Sequence, residues 1–194
     1  MIQPEKALNP GGVDSGLDLV IEGRAGMDPS GSDEARRQFR NTLGQFATGV
    51  TCMTTLSPTG DPGGITVSSF NSLSLKPPLI LWSIANNSTS SAGFQVGDPF
   101  AVNVLSAEQE DLATKFAQAG GDKFAGVNVH TGLSGVPLIQ GCVVYFECTV
   151  AARYAGGDHD IIVGSVRRTF NIGKTPLLFH GGALGTFDSL GPRA

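Results

Sequence analysis

The chain has 194 residues, of which 40% are hydrophobic and 15% charged, and its formal net charge is −4. This length favours a single domain, and the composition is sufficient for a real core. The acidic balance argues against a nucleic-acid partner, since such binding depends on Lys and Arg neutralising phosphates. No apolar run is long enough for a membrane span, and the N-terminus lacks a secretory signal pattern. We therefore expect a cytoplasmic protein. The low charge content is also what an oligomer with buried surface would have.

The first predicted feature is an N-terminal extension over residues 1–31, which begins rich in Pro and Gly and lacks sustained periodicity. Such a segment is expected to be flexible or draped on a partner subunit. The folded domain is expected over residues 32–190.

A helix is predicted to open this domain. Ser32 is a suitable N-cap, and Phe39, Leu43 and Phe46 recur at the spacing of one helical face. Gly49 is expected to end the helix.

The rest of the chain predicts β-strands joined by turns and a few short helices. The residues 58–64 form a turn by composition, so the strands on either side are expected to pair as a hairpin. One short helix is expected to follow residues 86–91, and another to open at a capping box, Ser106 with Gln109. The predicted strands are 50–56, 65–70, 79–85, 100–105, 142–152, 159–169 and 176–179. Because βαβ alternation is absent, this pattern favours a mainly β fold, a closed antiparallel barrel of Greek-key type.

The cysteines and histidines do not predict a metal site. Cys52, Cys142 and Cys148 are odd in number, lack metal-ligand spacing and lie in apolar, strand-like runs. They are expected to be reduced and buried. The three histidines of the chain are too scattered to suggest ligation.

A hydroxyl-rich segment, Gly64–Ser74, is the first candidate for chemistry. On a strand, Thr66, Ser68 and Phe70 would share one side, and the residues between them the other. Closely spaced donors suit a planar polar ligand such as an isoalloxazine ring. An ordinary Ser-rich edge strand is the alternative interpretation.

Two further segments carry polar groups. Ser88, Thr89 and Ser90 precede the short helix predicted after residues 86–91, and helix N-termini bind phosphate through free N–H groups. A plain helix cap is the alternative.

Gly157-Asp158-His159 forms a turn that places His159 at the start of a strand. Hydride transfer between nicotinamide and flavin needs positioning rather than proton transfer, so His159 is expected to orient a nicotinamide; a solvated turn histidine is the alternative.

Together, these segments resemble the short-chain flavin reductase family, the small reductase components that supply reduced flavin to two-component monooxygenases. The resemblance covers about residues 37–187. It lies in Phe39-Arg40, Phe46–Thr51, Thr54-Thr55, Gly64–Phe70, Ser72–Ser74, Pro77-Pro78, Asn103–Leu105, Phe116, Phe124, Pro137, Gly141, Glu147-Cys148, Gly157–His159, Gly164 and Pro176–Leu178.

The resemblance implies a flavin-binding split β-barrel, usually a homodimer, which uses NADH or NADPH to reduce FMN or FAD for a separate monooxygenase. His159 is the residue that it associates with nicotinamide positioning. The residues that it associates with cofactor binding are Thr48, Val50, Thr51, Thr54, Thr66, Val67, Ser68, Ser69, Ser72, Asn86, Ser88, Thr89, Ser90, Asn103, Phe116 and Asp158.

The chain departs from the family pattern in ways that affect these expectations. The loop at Asn86 lacks the Arg or Lys that many members place there, so phosphate binding is expected to depend on neutral donors and flavin to exchange readily. No Arg cluster for a 2′-phosphate lies near Asp158, which favours NADH. Gly181-Gly182 is followed by Ala183 instead of the aromatic residue or Arg that is frequent in the family.

Two other functions remain open at this point. A non-catalytic flavin-binding electron carrier would retain a tight yellow cofactor and would not turn over NADH. A reductase of the same barrel class could instead act on another bound acceptor, such as a corrin or a small aromatic.

Overall fold

The computed structural model describes residues 20–187. Most of the predicted extension, up to residue 19, and the last residues of the predicted domain, 188–190, lie outside them. The chain forms two compact units, one running up to Leu43 and the other beginning at Gly44. The described part of the first unit contains a small antiparallel pair, β1 (Val20–Ile21) and β2 (Arg24–Ala25), and helix α1 (Asp33–Leu43).

Helix α1 begins where the sequence predicts but ends earlier. The Ala35 N–H donates to Ser32 Oγ at 3.1 Å, so Ser32 is the N-cap. The helix ends at Leu43 rather than Gly49, and Phe46 lies beyond it with 76% of its surface exposed. Gly44 directly follows the last helical residue, a position where glycine favours termination. The predicted helical face through Phe46 is therefore wrong.

The second unit is mainly β. Its elements are β3 (Thr48–Gly49), β4 (Thr51–Leu56), β5 (Pro62–Val67), β6 (Asn71–Leu75), β7 (Pro78–Ala85), β8 (Pro99–Val104), α2 (Glu110–Ala117), β9 (Val129–Thr131), β10 (Pro137–Ile139), β11 (Val144–Gly156), β12 (His159–Asn171), β13 (Leu178–His180) and β14 (Ala183–Gly185). Neither helix within residues 20–187 has the length and apolar character needed to cross a membrane.

The main sheet has seven strands in the order β5-β4-β8-β11-β12-β7-β6, and every pairing in it is antiparallel. The predicted β4–β5 hairpin is confirmed, with Thr51 opposite Val67 and Leu56 opposite Pro62. A smaller sheet has the order β14-β13-β3, and β9 pairs with β10. The prediction missed β6, whose residues are largely exposed and therefore carry a weak apolar pattern.

Two hydrophobic cores lie on opposite faces of the main sheet, because successive strand residues point to opposite sides. On β4, Cys52 belongs to the core that α2 and β10 cover, whereas Met53 belongs to the core that contains Trp82 and Phe100. The alternation along β4 and β8 therefore determines which polar side chains face which core.

The three cysteines are buried and unpaired, as the sequence predicts. Burial raises the pKa of Cys142 and of Cys148 to about 12, and raises that of Cys52 well above its usual value. These thiols therefore remain protonated at neutral pH, and they are small core residues.

The predicted capping box before α2 is half formed. The Ser106 N–H donates to Gln109 Oε1 at 2.9 Å, but the helix starts at Glu110, and Ser106 Oγ has no hydrogen-bond partner among residues 20–187. Ser106 instead forms a β-bridge with Pro176, and this extended backbone shifts the helix start.

Candidate functional site

Strand β5 is an edge strand of the main sheet, and two cavities lie along it. The Thr66 cavity has a volume of about 330 Å³, and its lining is Val50, Thr66, Val67, Ser68, Ala113, Thr114, Ala117, Phe179, Gly182 and Leu184. The Lys123 cavity has a volume of about 560 Å³, and its lining is Thr55, Ser57, Thr59, Asp61, Pro62, Gly63, Gly64, Thr89, Ser90, Ala92, Gly93, Gly120, Gly121, Asp122, Lys123 and Phe124. The nearest β5 residues of the two linings, Gly64 and Thr66, are two residues apart along the strand, which is roughly 7 Å.

The Thr66 cavity combines an apolar wall with hydroxyl groups. Thr66 Oγ1 donates to the Ala113 carbonyl of α2 at 2.8 Å, and Ser68 is exposed. Thr51 Oγ1 donates to the Val67 carbonyl at 3.1 Å, which holds the end of β5 on β4. Helix α2 and strand β4 thus fix the floor of this cavity.

Thr48 carries an unsatisfied hydroxyl close to this region. It lies on β3 opposite Phe179 of β13, and Phe179 lines the Thr66 cavity. Thr48 Oγ1 is buried and has no hydrogen-bond partner within residues 20–187. Because a buried polar group without a partner is costly, this hydroxyl is a candidate ligand contact.

The predicted alternation along Gly64–Ser74 is correct for the strand and wrong beyond it. Gly64 and Thr66 face α2, since a Cβ built at Gly64 would lie 2.7 Å from the Phe116 ring. Phe70 packs instead into the core on the other face, with Phe146. Strand β5 ends at Val67 and the chain bends at Ser68, so the two-residue period no longer applies.

The Lys123 cavity contains a cation that the sequence analysis missed. Lys123 Nζ donates to the carbonyls of Gly64 and Phe116, each at 3.1 Å, and Ser90 Oγ donates to the same Gly64 carbonyl at 3.2 Å. Among residues 20–187, no carboxylate lies within ion-pair distance of Lys123. Burial lowers the pKa of this lysine below its ordinary 10.5. The cavity beside the Ser88–Ser90 loop therefore offers a cation as well as the neutral donors that the sequence led us to expect.

The helix predicted after residues 86–91 is only a three-residue 3₁₀ turn, Ser91–Gly93. A single turn has no appreciable macrodipole, so the argument from a helix N-terminus does not hold here. Ser88 Oγ accepts the Ser90 N–H at 3.3 Å, and Thr89 is exposed beside the Lys123 cavity. These side chains are positioned by a local turn and not by a helix.

The His159 turn lies against the same polar loop. Asn86 Nδ2 donates to the Gly157 carbonyl at 3.1 Å, and the Asn86 N–H donates to the Asp158 carbonyl at 3.0 Å. His159 Nδ1 lies 2.7 Å from Asp158 Oδ1, and this hydrogen bond lowers the pKa of Asp158. The His159 side chain is 45% exposed. Neither cavity described above includes His159 in its lining.

Three predicted contact residues have structural partners instead. Asn103 is fully buried: its Nδ2 donates to the Cys52 carbonyl at 3.0 Å and to Thr54 Oγ1 at 2.9 Å, and its Oδ1 accepts the Ile139 N–H at 2.8 Å. Thr54 Oγ1 donates to the Pro137 carbonyl at 2.6 Å. Phe116 is fully buried beneath Gly64. Their placement corrects the expectation that these side chains contact a cofactor.

The remaining predicted residues are divided between packing and surface. Val50 is buried in the core under α2 and also lines the Thr66 cavity. Ser69 Oγ accepts the Ser83 N–H at 3.0 Å and donates to the Ser83 carbonyl at 3.2 Å. Ser72 is exposed on β6. Ser69 thus acts on the backbone of β7.

Comparison with known families places this arrangement in context. The family model described as flavin reductase like domain matches residues 43–188. FMN reductase (NADH) SmoA of Agrobacterium fabrum is 46% identical over 155 residues, which cover 80% of this chain and 88% of that protein. HsaB of Mycobacterium tuberculosis, the reductase subunit of a flavin-dependent monooxygenase, is 39% identical over 149 residues, which cover 75% of this chain and 79% of that protein.

A solved structure agrees with these relatives. The NADH:FAD oxidoreductase SgcE6 of Streptomyces globisporus, in complex with NAD and FAD fragments, superposes with a TM-score of 0.78 at 36% identity. The match covers 86% of this chain and 98% of that one. Because the family model spans most of the chain and several relatives exceed 30% identity over most of their length, the chain belongs to the flavin reductase like family.

Proposed function

We propose that this protein is an NADH-dependent flavin reductase that reduces FMN or FAD and releases the reduced flavin to a separate monooxygenase. The main support is that two cavities lie side by side along β5. One is apolar with hydroxyl groups at its edge, and the other contains Lys123, which has no ion-pair partner among the described residues. A flavin needs both environments, one for a planar ring and one for a phosphate. Two relatives support the proposal by their names, one an NADH-dependent FMN reductase and the other the reductase subunit of a flavin-dependent monooxygenase.

The residues present fit a flavin. The exposed Ser68 can bond the polar edge of a ring in the Thr66 cavity. Thr48, outside that lining but opposite Phe179, is a second candidate because its hydroxyl has no partner among the described residues. Lys123, Thr89 and Ser90 can bind a phosphate in the Lys123 cavity. The bound flavin supplies the acceptor for a hydride from NADH, and the protein orients the two and limits their exposure to water.

His159 is the proposed nicotinamide-positioning residue. Its ring is partly exposed at the start of β12, and Asp158 holds it through the hydrogen bond to Nδ1. This bond leaves Nε2 directed away from Asp158 and available to a nicotinamide amide. Asn86 supports the same turn by binding its backbone.

We also propose that the seven-stranded sheet closes into a split β-barrel. Ser69, just after β5 at one end of the strand order, bonds both backbone groups of Ser83 on β7 near the other end. Met53 of β4, Trp82 of β7 and Ile162 of β12 share one core. Both observations fit a sheet that curves back on itself.

The proposed assembly is a homodimer, with residues 1–31 as an extension and 32–190 as the reductase domain. Large apolar side chains are exposed on several strands, including Leu75 at 90% and Tyr154 at 59%. Such surface favours contact between subunits. Light scattering of the purified protein tests the dimer.

Turnover of NADH with added FMN or FAD tests the proposed activity. We expect loss of NADH absorbance with at least one of the two flavins, and its absence with both flavins and with either nicotinamide would contradict the proposal. A tightly bound yellow cofactor without turnover would instead identify an electron carrier. Turnover with a corrin or a small aromatic but not with flavin would identify a different reductase.

His159→Ala tests the positioning role. We expect KM for NADH to rise about tenfold while flavin affinity is unchanged, because the loss of one oriented hydrogen bond is worth about 1.4 kcal/mol. His130→Ala, which removes another exposed histidine from β9, is the control. An equal effect of both substitutions would refute the assignment.

A further inference from the structure

One arginine ties the polar loop to the hairpin that carries the His159 turn. Arg153 lies on β11 with 18% of its side chain exposed, and its Nε donates to Asp160 Oδ2 at 2.6 Å. From the same guanidinium, Nη2 donates to Ser91 Oγ at 2.8 Å and Nη1 to the Ser91 carbonyl at 3.2 Å. We refer to Arg153, Asp160 and Ser91 as the Arg153 clamp.

The clamp joins the neighbours of two proposed contact residues. Asp160 directly follows His159, and Ser91 directly follows Ser90, which lines the Lys123 cavity. At the other end of the loop, Asn86 binds the backbone of Gly157 and Asp158. The loop of residues 86–91 is therefore attached at both ends to the β11–β12 hairpin.

The geometry is suited to transmitting position. An arginine presents its donors in a rigid plane, so bonds from Nε to one element and from Nη1 and Nη2 to another fix their relative orientation. Asp160 is only 19% exposed, and its pairing with Arg153 is therefore screened less by solvent than a surface pair. A shift of the loop would move the hairpin with it.

We propose that Arg153 is a positioning residue that couples flavin binding at the Ser88–Ser90 loop to nicotinamide binding at His159. This inference rests on the proposed function, since it assigns the loop to flavin phosphate and the turn to NADH. Occupation of the loop by flavin would stabilise the turn, and by reciprocity NADH would strengthen flavin binding. In this proposal the Arg153 clamp acts through His159, and its residues contact neither flavin nor NADH.

Arg153→Gln is the principal test. We expect KM for NADH to rise about fivefold and the dissociation constant for FMN to rise by a smaller factor, with kcat changed less than KM. Arg153→Lys should not restore the NADH KM, because one ammonium group cannot replace donors directed at both Asp160 and Ser91. Restoration by lysine would overturn the coupling role in favour of a simple charge effect.

A double-mutant cycle with His159→Ala separates positioning from general damage. If Arg153 acts through His159, adding Arg153→Gln to His159→Ala should leave KM for NADH unchanged from the single His159 variant. An independent fivefold rise in the double variant would overturn the proposal.

Arg168→Gln provides the matched control. Arg168 lies toward the opposite end of the same hairpin, where its Nε donates to the buried Glu147 carboxylate. The loss of its guanidinium should lower the free energy of unfolding at least as much as Arg153→Gln does. The KM for NADH and the dissociation constant for FMN should be unchanged. Equal kinetic losses in the two variants would show that hairpin stability, not the clamp, determines KM.

Hydrogen exchange provides a measurement that does not depend on activity. Arg153→Gln should increase amide exchange in residues 86–94 and 156–160 together, whereas Arg168→Gln should not. Faster exchange in only one segment would overturn the clamp. If the wild-type protein did not oxidise NADH, the proposed function would fail while the exchange result still tested the clamp. Should Arg153→Gln not fold, Asp160→Ala removes the acceptor of the Arg153 Nε bond.

Discussion

Polar side chains near the edge of β5 and in the interior between β4 and β8 differ in how completely they are hydrogen-bonded within the protein. In the interior, Thr54 and Asn103 are fully buried, and each makes hydrogen bonds within the protein. Near the edge, the Thr48 hydroxyl has no hydrogen-bond partner among the described residues, and Lys123 Nζ donates to two backbone carbonyls with one of its three N–H donors left over. The interior groups therefore build the scaffold, whereas Thr48 and Lys123 retain hydrogen-bonding capacity for a ligand.

The largest effect should come from the interior. Asn103→Ala removes the partners of the Cys52 carbonyl, of Thr54 Oγ1 and of the Ile139 N–H in a site without water access. We expect the free energy of unfolding to fall by about 3 kcal/mol, measured by urea denaturation. The residual folded protein should bind flavin normally. A stable variant with weakened flavin binding would contradict the purely structural role of Asn103.

At the edge, Lys123→Met should act on binding instead. A charge-assisted hydrogen bond to phosphate is worth about 1.5–3 kcal/mol, so we expect the dissociation constant for FMN to rise at least tenfold, measured by fluorescence titration. Lys115→Met, which removes a half-buried lysine of α2, is the control and should bind FMN normally. Unchanged FMN affinity in Lys123→Met would exclude the Lys123 cavity as the phosphate site.

The pH dependence of FMN affinity is a second test of Lys123 as the phosphate-binding group. Burial lowers the pKa of Lys123 in the free protein, and a bound phosphate would raise that pKa again. Above the second pKa of the FMN phosphate, about 6, FMN affinity should therefore stay constant until pH approaches the lowered pKa of Lys123. It should then decline as pH rises through that pKa. Titrations at increasing alkaline pH check this, and Lys123→Met should lack the decline. A decline that persists in this variant would assign it to another group.

The smallest changes are expected for valine substitutions of Thr48 and Thr54. Thr48→Val removes a buried hydroxyl without a partner, so stability should be unchanged or slightly higher, while FMN affinity falls about fivefold, which corresponds to roughly 1 kcal/mol. Thr54→Val should do the opposite, lowering stability by about 1–2 kcal/mol with FMN affinity retained. Thermal unfolding and FMN titration of both variants measure the pair. Parallel behaviour of the two variants would contradict the difference between edge and interior.

Local patterns predicted much of the fold. The residue pattern identified six of the seven strands of the main sheet. The turn composition of residues 58–64 identified the β4–β5 hairpin, and Ser32 identified the start of α1. These succeed because backbone preference and two-residue periodicity act over short distances. Strand β6 and the early end of α1 were missed, since the first is mostly exposed and Gly44 was not recognised as the terminating residue.

The candidate site was less predictable from the same patterns. The hydroxyl-rich β5 region and the loop of residues 86–91 were predicted to bind flavin, and both contribute residues to a cavity lining; their binding role stays a prediction. Lys123 was missed because it lies in a loop far along the chain, and only its hydrogen bond to the Gly64 carbonyl brings it to β5. Thr54 and Asn103 were misassigned because hydroxyl and amide groups have the same appearance in sequence whether or not they are paired.

A mainly β, antiparallel domain and membership of a flavin reductase family follow from the residue pattern alone, because ordered motifs and periodicity are properties of the chain. Which polar groups are free depends on the folded arrangement. It paired Asn103 with β10, left the Thr48 hydroxyl without a partner within residues 20–187, and brought Lys123 and Arg153 to the same loop. The physical reason is that hydrogen bonding and desolvation depend on neighbours distant in sequence, which local patterns do not record.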